Sequence, residues 1–133
     1  MKTFITTLSI ICASFYAQSQ NTLTIKITNL KTNTGTVYVD LKNDKEKSVK
    51  KVKGTVVNQE CTVEITEIPS GNYAVTYYHD ENDNGQMDTG MFGKPEEGYG
   101  YSNDARGFMG PADFEDQIFE IKSNTQITLK TVQ

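Results

Sequence analysis

Tryptophan is absent from this 133-residue chain, histidine occurs once, and cysteine occurs twice, at Cys12 and Cys61. So few nitrogen and sulfur ligands exclude a structural zinc site of the usual four-ligand kind. Basic charge is also in short supply: 13 Lys and Arg stand against 17 Asp and Glu, for a net charge of −4. A chain of that sign lacks the basic surface that phosphate backbones require, which argues against nucleic acid as a partner. Long apolar runs are lacking too. The longest extends from Phe4 to Phe15, broken only by small or hydroxylated residues. That is shorter than the roughly 20 residues needed to cross a bilayer as a helix, and no second such run follows.

What the first residues do contain is an export leader. Lys2 supplies a positive start, Phe4–Phe15 the apolar stretch, and Ala17 and Ser19 the small residues of a cleavage site. The expected division is a signal peptide over 1–19 and one domain over 20–133, with a cut after Ala17 as the alternative. Cys12 follows Ile10 and Ile11, where a lipid-attachment site wants small residues, so it reads as part of the apolar run. Loss of Lys2 takes the net charge from −4 to −5. A domain of about 110 residues holds one core without staples. Cys61 would be its only thiol, so no intramolecular disulfide can form. In Cys61-Thr62-Val63-Glu64-Ile65 it lies on the apolar side of an alternating pattern, the place of an inert core thiol.

The same period of two recurs along the chain. Leu23, Ile25 and Ile27 alternate with Thr24, Lys26 and Thr28, and Val37, Val39 and Leu41 alternate after a loop over 31–35. Ile68-Pro69-Ser70-Gly71 has the residues of a turn. Tyr73 to Tyr78 is rich in strand formers, and Ile118–Ile121 and Ile127–Val132 supply two more segments. No stretch holds a helical period. The expectation is an all-β fold: a single antiparallel β-sandwich of about seven strands, carrying one long loop rich in glycine, aromatics and acids.

Two segments interrupt that rhythm. Residues 42–53 carry Lys42, Lys45, Lys47, Lys50, Lys51 and Lys53, which reads as a solvated loop and a lysine-guarded edge strand, or else as a docking patch for an acidic partner. From Asp80 to Asp116, ten acidic residues face only Lys94 and Arg106, and seven of the ten glycines accompany Phe92, Tyr99, Tyr101, Phe108 and Phe114. Disordered segments are poor in aromatics, so an ordered excursion is expected, packed on itself or on the end of the sandwich.

That excursion opens with the most specific run in the chain, His79-Asp80-Glu81-Asn82-Asp83-Asn84-Gly85-Gln86-Met87-Asp88. Asp80, Asn82 and Asn84 occupy the first, third and fifth positions of a D-x-[DN]-x-[DN]-G loop, with Gly85 for the sharp turn at the sixth. Gln86 can offer its backbone carbonyl and Asp88 a carboxylate. Calcium takes six to eight hard oxygens, and alternate residues of a tight loop turn theirs to one centre. The twelfth position is Met91, so the bidentate glutamate of an EF-hand is missing and further ligands must come from elsewhere; Glu96, Glu97, Asp104 and Asp113 are the candidates. Two neutral amides among the ligands imply a modest affinity, roughly 10⁻⁴ to 10⁻³ M as in extracellular calcium modules. The competing reading is a metal-free turn, for which Asp, Asn and Gly are equally suited. His79 is expected to be a hydrogen-bonded residue closing the core edge.

Taken in order, Leu23–Leu30, Pro69-Ser70-Gly71-Asn72-Tyr73-Ala74-Val75, the His79–Gly85 run, Gly93-Lys94-Pro95-Glu96-Glu97-Gly98-Tyr99-Gly100-Tyr101-Ser102-Asn103 and Phe114-Glu115-Asp116 resemble the bacterial domain of unknown function 2141. The resemblance implies a secreted or periplasmic protein and a sandwich related to transthyretin-like and carboxypeptidase-regulatory-like (Ig-like) domains; it assigns no role to any residue. Function is therefore expected to be that of an exported, non-catalytic module, stabilised by calcium, whose loops bind a protein or glycan at the cell envelope. No nucleophile elbow, phosphate loop or histidine–serine pair is visible. The alternatives are a carboxylate-dependent hydrolase of the glycoside type and a purely structural part of an envelope assembly.

Overall fold

The computed structural model describes residues 20–133; the expected leader, residues 1–19, lies outside the described residues. Strands run over Gln20–Thr28 (β1), Thr36–Asn43 (β2), Ser48–Thr55 (β3), Cys61–Pro69 (β4), Gly71–Asp80 (β5), Tyr99–Tyr101 (β6), Phe119–Ile121 (β7) and Thr125–Lys130 (β8), with a single helical turn, α1, at Phe114–Gln117. They form two sheets. One has the order β4-β1-β8; the other has the order β3-β2-β5-β6, with β7 also paired to β5. The alternating residues meet between the two layers. Leu23, Ile25 and Ile27 of β1 and Val63 and Ile65 of β4 form one buried cluster with Val37, Val39 and Leu41 of β2 and Val75 and Tyr77 of β5. Cys61 belongs to that cluster, and burial pushes its thiol above the ordinary value.

The pairing is not antiparallel throughout. Leu23–Thr28 runs parallel to Thr125–Lys130, whereas every other ladder is antiparallel. The cause is a crossover. β7 lies in the five-stranded sheet against the start of β5, and residues 122–124 carry the chain to the other sheet at the end where β1 begins. Asn124 Oδ1 accepts the Thr22 N–H at 2.9 Å there, so β8 can only leave in the direction of β1. Of the other three crossings between the sheets, the tightest is at Pro69–Gly71, between β4 and β5. That corner is held by the Tyr73 hydroxyl, which donates to the Pro69 carbonyl at 2.7 Å, and by Asn21 Nδ2 on the Ile68 carbonyl at 3.1 Å.

The lysine-rich segment folds as expected. β3 is an edge strand, and the Asn43 carboxamide oxygen accepts the Lys45 and Lys47 N–H groups at 3.0 Å each to form its turn. The excursion after β5 is ordered but differs from a loop: it contains β6, which makes the strand count eight, two short 3-10 turns and α1. Buried Ser102 fastens it, its hydroxyl accepting the Val75 N–H at 2.9 Å and donating to the Gln117 carbonyl. Tyr99 and Tyr101 are half-buried on the sheet. Phe92 and Phe108, by contrast, are fully exposed, contrary to the expectation that the loop's aromatics pack. Among the described residues no helix is long and apolar enough to cross a membrane.

Candidate metal centre

The acidic run begins where β5 leaves the sheet. Asp80 is still paired with Thr36 of β2 and is fully buried. The β1–β2 turn packs directly on it. Gly35 sits at φ +82, and a Cβ there would lie 2.0 Å from the Asp80 carbonyl oxygen, so both conformation and space demand glycine. His79, also fully buried, locks the same turn: Nε2 is 2.6 Å from the Thr34 carbonyl, which can only accept, so Nε2 carries the proton. This is the core-closing histidine expected from the sequence.

Beyond Asp80 the chain curls around the Asp80 carboxylate. Oδ1 accepts the Asn84 N–H at 3.2 Å and Oδ2 the Gly85 N–H at 2.7 Å. Asn82 Oδ1 accepts the Asn84 N–H at 3.3 Å, and Asn84 Oδ1 accepts the Gln86 N–H at 3.0 Å. Asp83 and Gly85 take positive φ, 55° and 79°. A Cβ on Gly85 would meet nothing within 4 Å, so glycine is required there by conformation alone. Asp88 closes the ring: its two oxygens accept from Asn82 Nδ2 at 2.5 Å and Asn84 Nδ2 at 2.6 Å. Four of the five residues singled out from the sequence therefore converge through their side chains. Gln86 enters through its backbone N–H.

Of the four candidates for further ligands, the fold brings one. Asp88 and Glu96 are joined by a backbone hydrogen bond of 2.9 Å, Gly90 and Lys94 by one of 2.7 Å, and Thr89 pairs with Pro95. This small antiparallel loop returns Glu97 to Asp88, while the His79 N–H holds the Gly98 carbonyl at 2.7 Å. Asp104 is engaged elsewhere, accepting the Lys130 N–H at 2.8 Å, Glu96 lies against Gly90, and Asp113 heads α1. Sequence spacing left Glu97 level with these three. The pairing signal was Gly90 and Gly93 flanking a turn, with Pro95 on its return arm.

Glu97 is 6% exposed. Burial pushes its carboxyl up to about 7, helped by its hydrogen bond to Asp88 and by the charges of Asp88, Asp80 and Glu81. The same hydrogen bond to Glu97, with those from Asn84 and Asn82, holds Asp88 below the ordinary carboxylate value. Three buried polar atoms in this corner have no hydrogen-bond partner: Glu97 Oε2, Glu81 Oε1 and His79 Nδ1. Glu81 Oε1 and His79 Nδ1 are 3.9 Å apart. Among the described residues no three His, Cys, Asp or Glu side chains stand together as a metal-holding group. The converging set is two carboxylates and two carboxamides, a composition of hard oxygens suited to calcium rather than to zinc.

Over residues 25–128 the chain matches the family described as "Uncharacterized protein conserved in bacteria (DUF2141)". The chain belongs to this family. No curated protein and no solved structure matches it. The span shared with DUF2141 contains the whole of the Asp80 loop and Glu97.

Proposed function

We propose that this DUF2141 protein is an exported, non-catalytic β module of the transthyretin-like kind, secreted or periplasmic, whose Asp80 loop holds one calcium ion and whose neighbouring loops present a binding surface to a protein or glycan. One observation carries the metal reading: Asp80, Asn82, Asn84 and Asp88 converge above a buried Glu97 that has an unpartnered oxygen. The two carboxamide NH₂ groups now point at Asp88. A half-turn of each amide would present oxygen to a cation instead, and Asp80, Asp88 and Glu97 would complete a set of hard ligands. The binding reading is supported by the exposed apolar side chains on two loop tips, Met91 and Phe92 on one, Phe108 and Met109 on the other.

The Asp88–Glu97 pair, with one carboxyl raised to about 7, is the observation that favours a carboxylate-dependent hydrolase. Two features weigh against that reading. The carboxyl groups engage each other rather than flanking a space for a sugar ring. Neither residue lines either of the two cavities on the sheet face.

Thermal melts of the purified protein in chelator and in about 1 mM calcium, with magnesium as control, test the metal. A site of Kd near 10⁻⁴ M adds roughly 1.4 kcal/mol, a rise of several degrees for a domain of this size. The rise is expected to shrink in Asp88→Asn. No shift even at about 10 mM calcium would reduce the loop to a metal-free turn.

A further inference from the structure

The outer face of the five-stranded sheet carries an aromatic and basic groove. Outward residues of neighbouring strands stand in rows: Lys53, Tyr38, Tyr78 and Tyr99 are successive cross-strand partners, and so are Lys51, Asp40, Thr76 and Tyr101. Tyr38 and Tyr78 stack at 5.3 Å between ring centroids, and Tyr99 meets Tyr101 edge-on at 6.1 Å. Two cavities, of about 430 and 550 Å³, lie along these rows and share Thr76 and Tyr78, so they form one open channel across the strands. Lys42 and Lys51 line one end and Lys94 the other. None of these lysines, nor Lys53, makes an ion pair among the described residues. The channel therefore gathers three unpaired lysines against the single carboxylate of Asp40, in a domain that is otherwise acidic, around side chains that offer both a ring and a hydroxyl.

We propose that this groove binds an acidic polysaccharide, a sugar chain that carries carboxylates. The apolar C–H surfaces of sugar rings pack on tyrosine, the hydroxyls of Tyr38, Tyr99, Tyr101 and Thr76 exchange hydrogen bonds with sugar hydroxyls, and the carboxylates meet Lys42, Lys51 and Lys94. An open channel lets a polymer run out at both ends, which a closed pocket does not. The groove is also tied to the metal loop. The Tyr78 hydroxyl donates to the Gly85 carbonyl at 3.4 Å, Gly85 lines one cavity and Met87 the other, so ordering of the loop fixes one side of the channel. This names the ligand of the binding module and rests on that reading for the exported location that brings the groove to a glycan.

The test is calorimetric titration of the purified protein with a short oligouronide, in calcium and again in chelator, with an uncharged oligoglucan and a single-stranded oligodeoxynucleotide as comparison probes. The oligouronide is expected to bind, more weakly as salt rises. Lys51→Gln, at an exposed edge-strand position, is expected to weaken it about threefold with an unchanged melting temperature, and Tyr101→Ala to weaken the oligouronide and the oligoglucan alike. Absence of oligouronide binding in both conditions would overturn the proposal, as would equal binding of the oligodeoxynucleotide, which would make the groove a general polyanion surface. Calcium stabilisation without oligouronide binding would overturn the glycan assignment alone. Oligouronide binding without calcium stabilisation would uphold the groove and remove only the ion.

Discussion

Asp88 and Glu97 face each other as a hydrogen-bonded carboxyl–carboxylate pair, one held below its ordinary value and the other raised to about 7. The relationship follows from a short hairpin-like return between Asp88 and Glu96, which delivers Glu97 under the Asp80 loop. Its first consequence is a pH dependence. Glu97 is raised above its unfolded value of 4.5, so between about 4.5 and 7 the folded state binds more protons than the unfolded state. Stability in chelator must fall as pH rises through that window. Asp88 is shifted the other way, so its stabilisation is complete above 3.8 and is lost only as pH falls below that value. Melts from pH 5 to 8 are expected to show a loss of about 1–3 kcal/mol, and Glu97→Gln to flatten the profile. An unchanged slope in that variant would show that the pair does not govern it.

Gly85 and Gly35 both have positive φ, yet they differ in surroundings, and the difference is measurable. Gly85→Ala meets only the conformational penalty, about 1 kcal/mol, and Gly85→Asn recovers part of it because asparagine tolerates that region. Gly35→Ala drives a Cβ into the Asp80 carbonyl. It is expected to cost several times more, with loss of folding as the extreme result. Denaturant midpoints of the three variants order these effects; equal midpoints for the two alanine variants would contradict the packing of the Gly35 turn on Asp80.

The corner between the sheets gives a control far from the loop. Tyr73→Phe removes one hydroxyl bond to the Pro69 carbonyl, worth about 1 kcal/mol, and leaves any response to calcium unchanged. Loss of the response in this variant would indicate a global rather than a local calcium effect.

Cys61 lies 2% exposed in the core with its thiol raised. A neutral thiol reagent is expected to label the native protein slowly at pH 7 and the unfolded protein at once, since the thiolate is the reacting form. Rapid labelling of the native fold would place Cys61 outside the core.

Much of this architecture could be read from residue patterns. The alternation of Leu23, Ile25 and Ile27, of Val37, Val39 and Leu41 and of Cys61, Val63 and Ile65 marks the core face of β1, β2 and β4 because a strand turns successive side chains to opposite sides. The Asp80 loop was equally visible, since the spacing of its converging side chains is local. Three things were not. Parallel pairing of β1 with β8 leaves no trace in alternation, which is the same for either direction. β6 is three residues long, and Tyr99-Gly100-Tyr101 shows too little of a period to separate it from a loop. Glu97 belongs to the site through the pairing of Asp88–Gly90 with Lys94–Glu96, and through the bond from His79 to Gly98; spacing alone ranked it with Glu96, Asp104 and Asp113.

The most direct measurement is an equilibrium calcium titration by calorimetry on the purified protein and on Asp88→Asn. The proposal predicts one calcium ion per chain, with Kd of roughly 10⁻⁴ to 10⁻³ M, weakened by the substitution and not matched by magnesium. Absence of binding heat at calcium concentrations that would saturate such a site, or an affinity indifferent to Asp88, would contradict it and leave the converging side chains as a turn held by its own hydrogen bonds.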